Sequence, residues 1–334
     1  MKILVIGSGS IGRRHVRNLK ELFNKRGDGE VFVFDVNEDA LEFAAQGLEV
    51  RTCNDLDKAL AEADGVLVCT PNHLHASLAL KAVQNDCHVL VENPLAHSFE
   101  HVDELLAIAK QKNLTVTVGY MLRFYEPLLI VKRMLEEGRI GKVYGARIEF
   151  GSFLPSWRPT QDYRNNYGAI RAQGGGVILD VIHEINYARW LFGSVLELFC
   201  IAGKQSNLEM DTEDFAEITM RCENNVVVNM HFDYLQKDYS RSCKIIGEKG
   251  LVIWDFIGHK VKFYDNETGT WQITTNEKMD FNKTYVAEVN HFLDCVSGAA
   301  KPLVSGEEAK EDLKVALAAL ESAEKKQVVR FHKS

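Results

Sequence analysis

No CxxC pair occurs among the seven cysteines of this 334-residue chain, at positions 53, 69, 87, 200, 222, 243 and 295. Their odd number and scattered spacing exclude an orderly disulfide framework and a structural zinc site, and no metal is expected. Also missing are an apolar stretch near the ~20 residues of a bilayer-spanning helix and a basic leader ahead of the first apolar run. No membrane partner is therefore expected, and reduced thiols fit the cytoplasm. With only 6 prolines and 24 glycines, collagen and low-complexity readings fall away. A surplus of positive charge is absent too. The 39 Lys and Arg against 47 Asp and Glu leave −8, so nucleic acid is not an expected partner. What remains is a globular chain longer than one core usually serves, and two domains are expected.

The first third alternates β-branched runs at 3–6, 31–34, 66–69, 89–91 and 115–118 with helical patterns at 11–23, 40–46, 55–63, 76–84 and 99–110. In the first helical stretch Ile11, Val16, Leu19, Leu22 and Phe23 fall on one face and Arg13, Arg14, Arg17 and Lys20 on the other. Short strands linked by helices predict an α/β fold with a doubly wound parallel sheet covered on both faces. Beyond residue 119 the rhythm changes. A helical stretch at 127–137 leads into alternating segments at 143–150, 215–221, 226–232 and 244–246, with turn signals at 223–225, 247–250 and 265–269. These read as a large open, mainly antiparallel sheet in an α+β domain. An apolar helix is predicted over 177–191, opened by three glycines, and a second over 309–323. The expected division is 1–120 for a nucleotide-binding domain and 121–334 for a substrate-binding and oligomerisation domain, with helix 307–326 packing back on the first.

Gly7-Ser8-Gly9-Ser10-Ile11-Gly12 follows a predicted strand and opens a predicted helix, the context that gives GxGxxG meaning. The first glycine permits the tight turn, the second lets a pyrophosphate approach the backbone, and the third lets helix pack on strand. Asp35 stands at the end of the second strand, where a carboxylate accepts hydrogen bonds from ribose hydroxyls. That carboxylate points to NAD, while Arg13 and Arg14 leave NADP open.

Downstream segments resemble the Gfo/Idh/MocA oxidoreductase family over nearly the whole chain. The resemblance rests on GSGSIG at 7–12, CTPNHLH at 69–75, HVLVENP at 88–94, GYMLRFYEP at 119–127 and GGGVILDVIHEINYARWLFG at 174–193. LPSWRPTQDYR at 154–164 further resembles the branch associated with polysaccharide or unusual-sugar biosynthesis. The resemblance implies an N-terminal Rossmann domain, a bound nicotinamide cofactor, redox chemistry on a sugar or cyclitol hydroxyl or carbonyl, and a homodimer or homotetramer formed through the C-terminal sheet. It also implies that Thr70, Pro71, Asn72 and His75 pass the cofactor riboses. Glu92-Asn93-Pro94 matches the family's Glu-Lys-Pro triplet, whose glutamate contacts the nicotinamide ribose and whose lysine assists proton transfer. Asn93 replaces that lysine, and an amide exchanges no proton near neutral pH.

The resemblance places Asp180 and His183 beside the substrate, and their i, i+3 spacing gives them a common helical face. His183 is the expected acid/base, with Asp180 orienting substrate hydroxyls or supporting the charged ring. Arg123, Trp157, Arg158, Tyr163 and Arg164 are expected to bind substrate. With Arg171 the arginines would form a positive pocket for an acidic or nucleotide-linked sugar. Two alternatives stay open because of Asn93: glycoside cleavage with hidden redox, and an NAD-binding sensor without chemistry.

Overall fold

Residues 1–27, 29–159, 161–275 and 280–331 are described by the computed structural model. The chain divides into two compact units, one of Met1–Met121 with Phe281–Glu311, the other of Leu122–Asp280 with the chain from Asp312 onward.

In the first unit the β-branched runs become β1 (Lys2–Ile6), β2 (Glu30–Phe34), β3 (Arg51–Cys53), β4 (Gly65–Val68), β5 (His88–Glu92) and β6 (Val116–Gly119). They pair in parallel in the order β3-β2-β1-β4-β5-β6, the doubly wound order whose ligands bind at the carboxyl ends of the strands. Its helices are α1 (Ser10–Arg26), α2 (Glu38–Glu42), α3 (Leu56–Glu62), α4 (His75–Gln84) and α5 (Val102–Gln111). Strand β3 was not among the expected elements. It is three residues long at the sheet edge, too short for a period-2 pattern.

The second unit holds α6 (Glu126–Glu136), β7 (Val143–Gly151), α7 (Val177–Asp180), α8 (Ile182–Phe192), β8 (Val195–Gly203), β9 (Phe215–Cys222), β10 (Val227–Asp233), β11 (Ser240–Gly247), β12 (Gly250–Asp255), β13 (Lys260–Asp265) and β14 (Thr270–Thr275). The last elements of the chain are α9 (Asn282–Val296), α10 (Gly306–Lys325) and β15 (Val329–Arg330). Nine strands form one sheet in the order β14-β13-β12-β11-β7-β10-β9-β8-β15. The expected turns at 223–225, 247–250 and 265–269 separate successive strands. One pair departs from the antiparallel expectation: β7 and β10 run parallel, because the chain returns to β7 only after 75 residues of helix and strand rather than by a hairpin.

Helix α9 belongs to the first unit. Its Val289, Phe292 and Leu293 share a core with Val16, Leu19 and Phe23 of α1 and with the sheet residues Ile3 and Val5. The Rossmann core is thus completed by a segment more than 160 residues beyond β6.

Candidate cofactor and substrate site

The glycine loop is built as its spacing predicts. Gly7 has φ +97° and its Cβ would press on the carbonyl of Cys69, while a Cβ on Gly12 would collide with the carbonyl of Gly7. Both glycines are required by close packing. Gly9 differs, since nothing lies within 4 Å of where its Cβ would be. The open space is what an approaching pyrophosphate needs. Helix α1 starts at Ser10 without a side-chain cap, leaving the first-turn amides of Ser10, Ile11 and Gly12 directed at that space. Asp35 accepts the Ser8 amide at 2.6 Å and the Asn37 amide at 2.9 Å, which fixes its carboxylate at the end of β2. Ser8 Oγ and Thr70 Oγ1 are buried without a hydrogen-bond partner among the described residues. Orphaned hydroxyls, uncapped amides and a fixed carboxylate together fit a dinucleotide. Arg13 stacks on Phe43 at 3.8 Å and donates to the Ser8 carbonyl, and Arg14 stacks on Tyr285 at 4.5 Å.

After β4, Pro71 (φ −60°, ψ 148°) turns the chain into a short 3-10 segment at Asn72–Leu74. Buried His75, opening α4, reaches the Pro94 carbonyl at 2.7 Å and the Thr70 carbonyl at 2.8 Å. Both ring nitrogens therefore face the protein's own backbone, and His75 brackets the two loops from beneath. Burial holds it below the ordinary histidine range in spite of the two carbonyls. At the end of β5, Glu92 receives His15 Nε2 on one oxygen at 2.5 Å, and the other accepts the backbone and side-chain amides of Asn93 at 3.3 Å each. Asn93 Nδ2 also donates to the Gly119 carbonyl at 3.2 Å. The amide that replaces the family lysine is thus tied to the protein by its donors, and the Asn93-Pro94 peptide is cis.

In the second unit the expected continuous helix is corrected. Val181 (φ −101°, ψ 22°) separates α7 from α8, so Asp180 and His183 do not lie on one unbroken helical face. Two contacts flank the break: the Asp180 carboxylate accepts the Tyr234 hydroxyl at 2.6 Å, and Glu184 N bonds back to the Val181 carbonyl at 3.1 Å. Gly176 needs φ +111°, and a side chain there would run into the Glu213 carboxylate. Burial raises the Asp180 carboxyl above the usual range, opposed by the Tyr234 and Tyr167 hydroxyls and by the Arg158 charge. His183 is buried, and burial with the Arg241 charge drives its imidazole well below the ordinary value. It is held neutral. Arg241 in turn makes two bonds, 2.6 and 3.1 Å, to the fully buried Glu184.

Of the expected substrate residues, Trp157 and Arg158 gather near Asp180. The Trp157 ring stands edge-on to Tyr234 at 5.3 Å and its Nε1 donates to Ser152, while Arg158 lies over Tyr167. Tyr163 and Arg164 are brought together elsewhere: the Tyr163 hydroxyl accepts the Glu209 amide, and Arg164 pairs with Asp162 and Glu209. Arg171 donates to the Asp211 carbonyl, and buried Arg123 stacks on Trp190 at 4.4 Å. Each of the four arginines thus has a partner of its own within the second unit. Around Asp180 and His183 stand Glu184, which lies in the 174–193 motif, and Tyr234 and Arg241, which no motif marks. The only signal of those two is an ionisable group in or next to an alternating strand.

A second group, of which only Glu92 belongs to a motif, lies in the first unit. His15, Glu92 and Glu288 are all buried, with ligand-capable atoms within 4.8 Å of one another. Among the described residues no helix is long and apolar enough to cross a membrane, and all seven cysteines are unpaired.

Comparison with known proteins agrees with this geometry. Residues 1–120 match the Gfo/Idh/MocA oxidoreductase family with its NAD-binding Rossmann fold, and residues 132–331 match that family's C-terminal α/β domain. The chain is 28% identical to Myo-inositol 2-dehydrogenase of Thermotoga maritima over 353 aligned positions, covering 99% of this chain and 98% of the relative. It is 25% identical to UDP-N-acetylglucosamine 3-dehydrogenase of Acidithiobacillus ferrooxidans, covering 95% of each. The fold of the WlbA dehydrogenase from Bordetella pertussis, solved with NADH and UDP-GlcNAcA, matches with a TM-score of 0.84 at 20% identity, over 100% of this chain and 99% of that one. The chain belongs to the Gfo/Idh/MocA oxidoreductase family, as an NAD-dependent dehydrogenase.

Proposed function

We propose that the chain acts on a secondary hydroxyl of a sugar, cyclitol or sugar derivative, with His183 as its acid/base. The observation that carries this reading is the neutral, buried imidazole at the start of α8, next to the Asp180 and Tyr234 pair. Bound NAD supplies the hydride acceptor. Gly9, the first-turn amides of α1 and Asp35 would hold its pyrophosphate and adenosine ribose, and Thr70, Asn72 and Glu92 would line the path towards the nicotinamide ribose. His183 takes the hydroxyl proton on its neutral ring in the oxidation direction and returns it in the reverse direction. Asp180, anchored by Tyr234, orients a neighbouring hydroxyl. Asn93 transfers no proton. Its engaged donors instead hold Glu92 and the end of β6 together.

An acidic or nucleotide-linked sugar is the substrate class favoured by the likeness to the UDP-N-acetylglucosamine enzyme. Arg158 is the arginine placed to meet it, since its charge acts on Asp180. We further propose a cytoplasmic homo-oligomer formed through the nine-stranded sheet. Its exposed face carries a basic row of Lys262, Lys244 and Arg147 beside an acidic row of Asp255, Glu149 and Glu217, with exposed Ile201, Phe199 and Ile273 towards the ends. Opposite charges in adjacent rows, flanked by apolar side chains, suit a second copy of the same face.

The test is NADH formation from NAD with a panel that includes myo-inositol and UDP-N-acetylglucosamine, run beside His183→Ala. Turnover that falls about 10²- to 10⁴-fold in the variant is expected. A fully active variant, or no reaction with any member of a broad sugar panel, would count against the reading.

A further inference from the structure

Of the cluster of His15, Glu92 and Glu288, only Glu92 enters the chemistry above. His15 sits on the second turn of α1 and is completely buried; Glu92 ends β5, and Glu288 comes from the middle of α9 at 4% exposure. Ligand-capable atoms of all three lie within 4.8 Å of one another. Glu92 is saturated, with His15 on one oxygen and Asn93 on the other. Glu288 contrasts with it, because neither of its oxygens has a hydrogen-bond partner among the described residues. A buried carboxylate without a donor is among the costliest arrangements a protein can hold. Two carboxylates this close in a dry site do not both ionise.

Two species would resolve the conflict, a cation between the three side chains or a proton on Glu288. The direct contact of His15 Nε2 with Glu92 Oε1 favours the proton, because two atoms bound to one metal ion stand farther apart than a hydrogen bond of 2.5 Å. The apolar surroundings act the same way, since burial and the charge of Glu92 both push the Glu288 carboxyl well above the usual range.

We propose that Glu288 is a neutral carboxylic acid and that, with His15, it positions Glu92 beneath the nicotinamide end of the cofactor site. His15 Nε2 meets one Glu92 oxygen, Glu288 packs beside that pair, and the second Glu92 oxygen anchors Asn93. His15 and Glu288 are positioning residues and touch no cofactor. A segment from the far end of the chain thereby tunes the loop after β5. The inference concerns the cofactor half alone, so it stands or falls independently of which sugar is turned over.

The experiment compares the full-length protein with Glu288→Gln and Glu288→Leu. Infrared difference spectra of wild type against Glu288→Gln should show the C=O band of a buried carboxylic acid that the variant lacks. NAD affinity, followed by titration calorimetry, should weaken about tenfold in Glu288→Leu and be restored by Glu288→Gln, whose neutral amide replaces a neutral acid. A carboxylate band in place of the acid band overturns the proposal. So does Glu288→Gln binding NAD as poorly as Glu288→Leu, or one equivalent of a divalent cation found by elemental analysis. If Glu288→Leu does not fold, the infrared comparison and the glutamine variant still decide.

Discussion

At position 93 an amide replaces a lysine, and His15, Glu92 and Gly119 show what the rest of the site makes of it. The donors of Asn93 are spent on Glu92 and Gly119, and the proposed acid/base is the buried imidazole of His183. Because His183 stays neutral well below the ordinary histidine value, oxidation should keep its rate as the pH falls through 6.5, where an exposed histidine would have lost half its basic form. A pH profile of kcat/KM checks this. The same burial has a stability consequence. The unfolded chain takes up a proton at His183 near pH 6.5 and the folded chain does not, so the unfolded state binds more protons and stability falls with falling pH below that point. His183→Asn should remove that part of the acid sensitivity in urea titrations.

Glu213 gives the opposite sign. Burial raises its carboxyl from the ordinary 4.5 to about 7 while its Oε1 accepts the Ile178 amide. The folded state keeps the proton that the unfolded chain has lost, so stability present below pH 4.5 is lost progressively as the pH rises to 7, by roughly 3 kcal/mol at most. Glu213→Gln keeps an acceptor for Ile178 and should flatten the loss. Equal slopes for wild type and variant between pH 4.5 and 7 would refute the assignment.

Among the elements, the glycine loop separates packing from binding. Gly12→Ala drives a methyl group into the Gly7 carbonyl and should lower the melting temperature as well as NAD affinity. Gly9→Ala meets nothing in the protein, so its melting temperature should hold while NAD affinity falls. Thermal melts beside NAD titrations distinguish the two. This loop, five of the six sheet strands of the first unit and the change of rhythm after residue 119 were legible because each is a local pattern: a β-branched run, a glycine at a fixed offset, an alternation of two. The break at Val181 was not, because it is held by the Tyr234 hydroxyl 54 residues away rather than by a local helix breaker. Asp180 and His183 could be named from the resemblance, but their setting could not. The pairing of His15 with Glu92 and Glu288 was hidden for the same reason, since a histidine on an apolar helix face and a glutamate on another carry no signal until the fold brings them together.

At the scale of the whole molecule, sequence order and structural units do not coincide. An expected boundary near 120 is natural to a reader of motifs, because the nucleotide signature ends at the loop after β5. Yet the core of the first unit includes Val289, Phe292 and Leu293, packed against Val16, Leu19 and Phe23 with almost no exposure. Removing that cover would expose the outer face of α1 and leave His15 and Glu92 open to water. A fragment of Met1–Met121 alone should therefore unfold without a sharp transition and bind NAD poorly. In the intact chain Phe292→Ala should cost about 3–5 kcal/mol of the first unit's stability by leaving a cavity on α1. Urea unfolding followed by circular dichroism measures the second effect, and a cooperative, NAD-binding fragment would disprove the first. The dependence has a functional reading as well. The core of the first unit cannot close until Val289, Phe292 and Leu293 have been made, so NAD binding should follow synthesis of α9 rather than of Met1–Met121 alone.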